Sequence, residues 1–246
     1  MQLTHEKIRK PLRVLLAALL VTLAGSAWAD PPVRAIRLAY TAGPVSFLSS
    51  GETEWVEARV NRPLWTGDRL WSDRGARAEL QIGGAALFFA PETSVSILNF
   101  DDDRAQFELT QGTVDLYVRS LGRNDSIEVD TPNLAFVVRE PGHYRIDVRA
   151  NGESTAVAVE RGEGEAFGTR SGYVLRAGNS FRFYGNDLVE YAIEPQRRDA
   201  FASWASERVR VSERSASARY VSPDMVGYRP AWIATGHRTA TVTGRG

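Results

Sequence analysis

The chain contains no cysteine. That removes disulfides, thiolate metal ligands, iron–sulfur clusters and a cysteine nucleophile. Histidine is almost as scarce, with His5, His143 and His237 the only three. A serine–histidine–acid triad in the body of the chain would have to use His143, and one histidine without cysteine cannot build a zinc site. Lysine is confined to Lys7 and Lys10, so 28 of the 30 basic residues are arginine. Thirty acids balance them, which leaves no positive surplus to neutralise phosphates. Nucleic-acid binding is disfavoured on that ground. Long apolar runs are missing too. Residues 14–25 form the only one, short of the ~20 residues that a spanning helix needs.

What is present begins with an address. Lys7, Arg9, Lys10 and Arg13 form a basic head, residues 14–25 are almost wholly apolar, and Ala27-Trp-Ala29 offers small residues at the −3 and −1 positions of a cleavage site. This is the pattern of a secretory signal peptide over residues 1–29. No cysteine follows the apolar run and no arginine pair precedes it, so neither a lipoprotein signal nor a twin-arginine route is indicated. Cleavage after Ala29 leaves 217 residues with 26 arginines, 29 acids and no lysine. The expected location is the periplasm or the exterior, with no membrane span after cleavage.

The body, residues 33–193, reads as strands. Ala105-Gln-Phe107-Glu-Leu109, Val114-Asp-Leu116-Tyr-Val118, His143-Tyr-Arg-Ile-Asp-Val148 and Thr155-Ala-Val157-Ala-Val159 all alternate apolar and other residues. A period of two marks half-buried strands. Gly83-Gly84, Pro141-Gly142, Asn151-Gly152 and Gly178-Asn179 punctuate them as turns. About fifteen strands are expected. The fold class is mainly β, an antiparallel sandwich or a barrel-like stack of hairpins. A weak internal echo accompanies it, since Gly43, Gly112 and Gly162 each open an alternating stretch. The pattern changes at Pro195. Phe201, Trp204, Ala205 and Val209 recur at helical spacing, which predicts one amphipathic helix within residues 195–214, docked on the sheet. Residues 215–246 are expected to be an extension, disordered or truncated.

The stretch Asn61-Arg-Pro-Leu-Trp-Thr-Gly-Asp-Arg-Leu-Trp71, followed by Ala76-Arg-Ala-Glu-Leu80 and Leu87-Phe-Phe-Ala-Pro-Glu-Thr93, resembles the FecR-type periplasmic domain. Asp130-Thr-Pro-Asn-Leu-Ala-Phe136, Pro141-Gly-His-Tyr-Arg-Ile-Asp-Val148 and Val157-Ala-Val-Glu-Arg-Gly162 are similar to the family's second block. The likeness covers roughly residues 36–185. The helix and Tyr220-Val-Ser-Pro-Asp-Met-Val-Gly-Tyr228 resemble an extension found in an exported subgroup of the family. After Tyr228 the chain departs from that subgroup's pattern in the way an out-of-frame ending would. The resemblance implies a β-rich, non-enzymatic binding or regulatory module of the cell envelope, with a protein partner. Regulators of the ferric-citrate type also carry a cytoplasmic arm that controls a sigma factor. Only 13 residues precede the apolar run here, so that role is not expected to carry over.

Candidate chemistry is thin. Asp101-Asp-Asp103 is the densest acid cluster, but its spacing is not that of a calcium loop and a hairpin turn explains it. Glu163 and Glu165 share a strand face, and Asp73 and Glu79 lie near each other in sequence; both are chance-level candidates for glycosidase acids. His143 is expected at the surface or rim. Trp55, Trp65 and Trp71 cluster around a Gly-Asp turn, where core and turn packing is expected, with sugar stacking as the alternative. No catalytic, cofactor or metal residue is assigned. Polysaccharide binding or scaffolding stands as the second functional reading.

Overall fold

The computed structural model describes residues 35–214. The expected signal segment and the extension, residues 215–246, lie outside the described residues.

Seventeen strands and one helix make up the described chain. In order they are β1 (Ile36–Ala42), β2 (Val45–Leu48), β3 (Val56–Glu57), β4 (Pro63–Leu64), β5 (Arg69–Ser72) and β6 (Arg77–Ile82). Next come β7 (Ala85–Phe89), β8 (Thr93–Phe100), β9 (Arg104–Val118), β10 (Ser126–Asp130), β11 (Ala135–Val138) and β12 (Gly142–Val148). The last are β13 (Ser154–Arg161), β14 (Glu163–Phe167), β15 (Gly172–Arg176), β16 (Ser180–Tyr184), β17 (Glu190–Ile193) and the helix α1 (Ala200–Arg214).

They form two sheets that share β9. The front sheet runs β4-β1-β6-β7-β9-β12-β13-β16-β17. The back sheet runs β3-β2-β5-β8-β9-β10-β11-β14-β15. Both have free edges, so the barrel-like alternative is not what forms. The sheets' inner faces pack into one core that includes Leu38, Phe47, Leu80, Phe107, Leu116, Phe136 and Val157. The inner positions are the apolar ones of the alternating stretches, as period-two burial requires.

The echo of glycines has a clear physical content. Gly43 separates front strand β1 from back strand β2, Gly162 separates front β13 from back β14, and Gly112 is where β9 leaves the back sheet for the front. All three have positive φ, 72°, 90° and 93°, respectively. Each is a corner that a β-branched or bulky residue would strain. Gly112 is also tightly enclosed, since a Cβ there would lie 2.4 Å from Thr93 Oγ1.

One pair departs from the antiparallel expectation. β10 runs parallel to the first half of β9, from Ser126 opposite Arg104 to Asp130 opposite Glu108. Parallel neighbours usually need a long crossover. Here β9 supplies it, because its second half bends into the front sheet and brings the chain back across the sandwich. The short segment after Val118 then reaches the start of β10, where the Ser126 amide donates to the Asp103 carbonyl at 2.7 Å.

The predicted helix forms and docks on the outer face of the front sheet. Phe201, Ala205 and Val209 are buried, and they pack with Ala86 and Phe88 of β7 and Tyr117 of β9. Asp199 caps the helix, accepting from the Ala202 amide at 2.8 Å.

Candidate functional site

The motif residues that carry the family likeness turn out to be scaffold. Asp68 is 3% exposed, and its carboxylate accepts the amides of Ser50 (3.0 Å) and Trp65 (2.9 Å). Gly67 beside it has φ 91°, and a Cβ would strike Ser50 Oγ at 2.3 Å. Thr93 Oγ1 accepts the Thr113 amide at 3.1 Å beneath the β9 corner. Thr131 Oγ1 accepts the Leu134 amide at 3.1 Å. Tyr144 is fully buried, and its hydroxyl donates to the carbonyls that flank the Gly142 and Gly162 corners, Glu140 and Glu163. Burial pushes its phenol up to about 12.

The other singled-out residues are accounted for one by one. Asp101 closes the β8–β9 turn by accepting the amides of Asp103 (3.0 Å) and Arg104 (2.8 Å). Glu163 is paired with Arg176 at 2.8 Å and Glu165 with Arg139 at 2.8 Å, so each carboxylate is held by a neighbouring strand. Asp73 accepts the Trp71 indole N–H, whereas Glu79 pairs with Arg208 of α1, which places these two acids in different environments. Among the described residues no cluster of His, Asp and Glu could hold a metal ion. Trp55 and Trp65 are not core residues. They are 44% and 58% exposed, because Trp55 precedes the two-residue edge strand β3 and Trp65 sits on the loop before Gly67. Only Trp71 is half-buried.

The polar concentration lies elsewhere, on the outer face of the front sheet. Register places Tyr40, Glu79, Phe88, Asp115, Arg145, Ala158 and Ser180 in one row across seven strands. α1 covers the first half of this row. Trp204 packs on Tyr40 (5.7 Å between ring centroids) and edge-on to Phe88 (5.6 Å), and Arg208 lies over Tyr40 and pairs with Glu79. The Tyr117 hydroxyl donates to Glu213. Farther along the row, Arg145 grips Asp199 through both terminal nitrogens, at 3.2 and 2.7 Å. Beyond it the outward residues of β13 are Ala156 and Ala158, too small to fill the space under the helix.

A cavity of about 480 Å³ results, between α1 and strands β9, β12 and β13. Its floor includes Asp115, His143 and Ala158, and Arg197, Arg198 and Arg210 stand around it. Asp115 is 2% exposed, and its Oδ2 makes no hydrogen bond among the described residues. Burial pushes its carboxyl up to about 7, against the pull of Arg145, with Asp199 and Glu160 adding to the rise. His143 Nδ1 lies 2.8 Å from Glu160, and its Nε2 is buried without a hydrogen bond. Burial lowers the imidazole pKa; Glu160 opposes that and Arg161 reinforces it. His143 was expected at the surface or rim. It is instead under the helix, its side chain 13% exposed. Asp115 carried no signal in the sequence, since alternation places it on a solvent face that α1 then covers.

These features define a β-sandwich with a docked helix, in which Glu163 and Glu165 are each paired with an arginine. Residues 68–163 match the family model described as FecR protein. The matched stretch runs from the buried Asp68 through β13 and includes Asp115 and His143. Two crystal structures, each of a candidate anti-sigma factor from Parabacteroides distasonis, are similar in structure. The first is 14% identical with a TM-score of 0.47, covering 56% of this chain and 64% of its own. The second is 15% identical with a TM-score of 0.47, covering 59% of this chain and 73% of its own. The described chain thus spans less than two thirds of the first of these structures. No curated protein matches.

Proposed function

We propose that this chain is an exported, non-enzymatic FecR-type module that acts in the cell envelope by binding another protein. The FecR match over residues 68–163 carries this reading. The basic, apolar and small-residue segments of residues 1–29 support export as a cleaved signal. In this reading residues 33–193 are the binding domain, residues 195–214 the docked helix and residues 215–246 an extension. No helix among the described residues is long and apolar enough to cross a membrane.

A protein partner also suits the free edges at one end of the sandwich. β17 pairs only with β16, and its Tyr191 and Ile193 are 48% and 80% exposed. β15 at the edge of the back sheet exposes Val174. Unpaired edge groups flanked by apolar side chains suit an extended segment of another protein.

Cell fractionation with N-terminal sequencing tests export: the mature protein is expected to begin at Asp30. Capture from envelope extract with the full chain as bait tests the partner. Val174→Asp with Ile193→Asp is expected to abolish capture without lowering the melting temperature, since both side chains are exposed. A cytosolic protein that retains Met1, or capture indifferent to both substitutions, overturns the respective half of the proposal.

A further inference from the structure

The cavity under α1 is lined by charged groups of both signs. At its floor are two acceptors without partners among the described residues, Asp115 Oδ2 and His143 Nε2, beside one buried donor without a hydrogen bond, Arg145 Nε, whose guanidinium is already neutralised by Asp199. Nε2 is an acceptor because Nδ1 faces the Glu160 carboxylate at 2.8 Å and so carries the ring proton. An unpartnered buried acceptor is costly, and a donor placed there recovers the loss. Three arginines also line the cavity. Arg197 and Arg210 are 58% and 56% exposed in their side chains, and Arg198 makes no ion pair among the described residues. Among the described residues Arg210 makes an ion pair with Glu207 of its own helix, at 3.1 Å, and Arg197 is 4.0 Å from Asp147. A volume of about 480 Å³ lies within the range of small-molecule sites.

We propose that this cavity binds a small zwitterion of the amino-acid or short-peptide class, its ammonium on Asp115 and His143 and its carboxylate on Arg197, Arg198 and Arg210. The site does not depend on the protein-binding reading above and uses none of the same surface. An ammonium is the donor that fits two acceptors, one of them an acid. A carboxylate fits the guanidinium groups of the lining, two of which are more than half exposed. Ala158 makes room for the body of the ligand, since any larger side chain in that position of the row would fill the space.

Binding is expected to depend on pH. Asp115 interacts with Arg145 of β12, Glu160 of β13 and Asp199 before α1, and shares the cavity lining with His143, Arg197, Arg198 and Arg210. Its raised pKa means that an ammonium must displace a proton at pH 6 but not at pH 8.

Titration calorimetry of the full chain with alanine, dialanine and trialanine tests the proposal, each probe used free, N-acetylated and C-amidated. At least one free probe is expected to bind, about tenfold more weakly or not at all when acetylated, and several-fold more weakly when amidated. Affinity is expected to fall about tenfold from pH 8 to pH 6, with proton release on binding. Asp115→Asn is expected to lose binding at both pH values, and Ala158→Leu to lose it sterically with the charges intact. Melting curves confirm that both variants fold. Trp65→Ala, outside the cavity, is expected to bind as the parent does. No binding by any free probe at millimolar concentration, equal binding of acetylated probes, or unchanged binding in Ala158→Leu overturns the proposal.

Discussion

At the scale of single residues, Asp115 is held at a cost. Its carboxyl titrates near 7 in the folded chain and near 3.8 in the unfolded one. The folded state thus binds the proton more tightly, and stability contributed by this group falls as pH rises from about 4 to 7. Asp115→Asn removes the buried charge. It is expected to stabilise the protein at pH 8 by on the order of 2–4 kcal/mol, with the gain vanishing near pH 4. Denaturant titrations of both forms across that range measure the difference, and a gain independent of pH contradicts the assignment. Taking the difference between the two forms also cancels the opposite trend from His143, whose lowered pKa makes acidification destabilising. Tyr144 is a second residue whose role is set by burial. Tyr144→Phe leaves the Glu140 carbonyl without this donor, while the Glu163 carbonyl keeps the amides of Arg139 and Glu140, at an expected cost of about 1–2 kcal/mol in urea unfolding.

At the scale of elements, β9 decides the topology. It is the longest strand, and its central Gly112 lets one continuous segment serve both sheets. Gly112→Ala must adopt a positive φ and push against Thr93 Oγ1 and Cα, 2.4 and 2.6 Å from the new Cβ. A loss of about 3 kcal/mol is expected, read as a lower urea midpoint. Gly178→Ala, where φ is also positive but nothing lies within 4 Å, is expected to lose only about 1 kcal/mol. Equal losses at the two sites contradict the packing argument. The far strands depend on Arg182, 1% exposed, which ties β16 to Glu194 at 2.7 Å and to Asp147 at 3.4 Å. Burial works against its charge, yet Glu194 and Asp147 together hold its pKa above the ordinary guanidinium value. Arg182→Met leaves two acids facing each other and is expected to cost about 3–5 kcal/mol.

At the scale of the whole molecule, α1 is the lid of a second, smaller core. It buries Phe88 and Tyr117, outward residues of the front sheet that the sandwich alone leaves open. A chain ending at Gln196 is expected to keep its β-sheet circular dichroism, bind a hydrophobic dye and melt roughly 5–10 °C lower. An unchanged melting temperature with no dye binding contradicts an integral role for the helix. The carboxylate–guanidinium contacts to the helix, Arg208 with Glu79 and Arg145 with Asp199, fix its direction across the strands.

The strands and the amphipathic helix were legible because alternation and helical spacing follow directly from backbone geometry. Ala105 to Leu109, Tyr144 to Val148 and Phe201 to Val209 show it. The family likeness was legible for a related reason. Its residues are turns and buried hydrogen bonds, such as Gly67-Asp68 and Thr93, whose roles are local and leave fixed spacings. The parallel β10, the exposure of Trp55 and Trp65, and the burial of Asp115 and His143 were not legible. Each depends on which segment lies across another. A period of two tells which face a residue takes, but not whether a helix some 85 residues later in the chain will cover that face. Covering it is what turns an ordinary outward aspartate into a buried acid at the floor of a cavity.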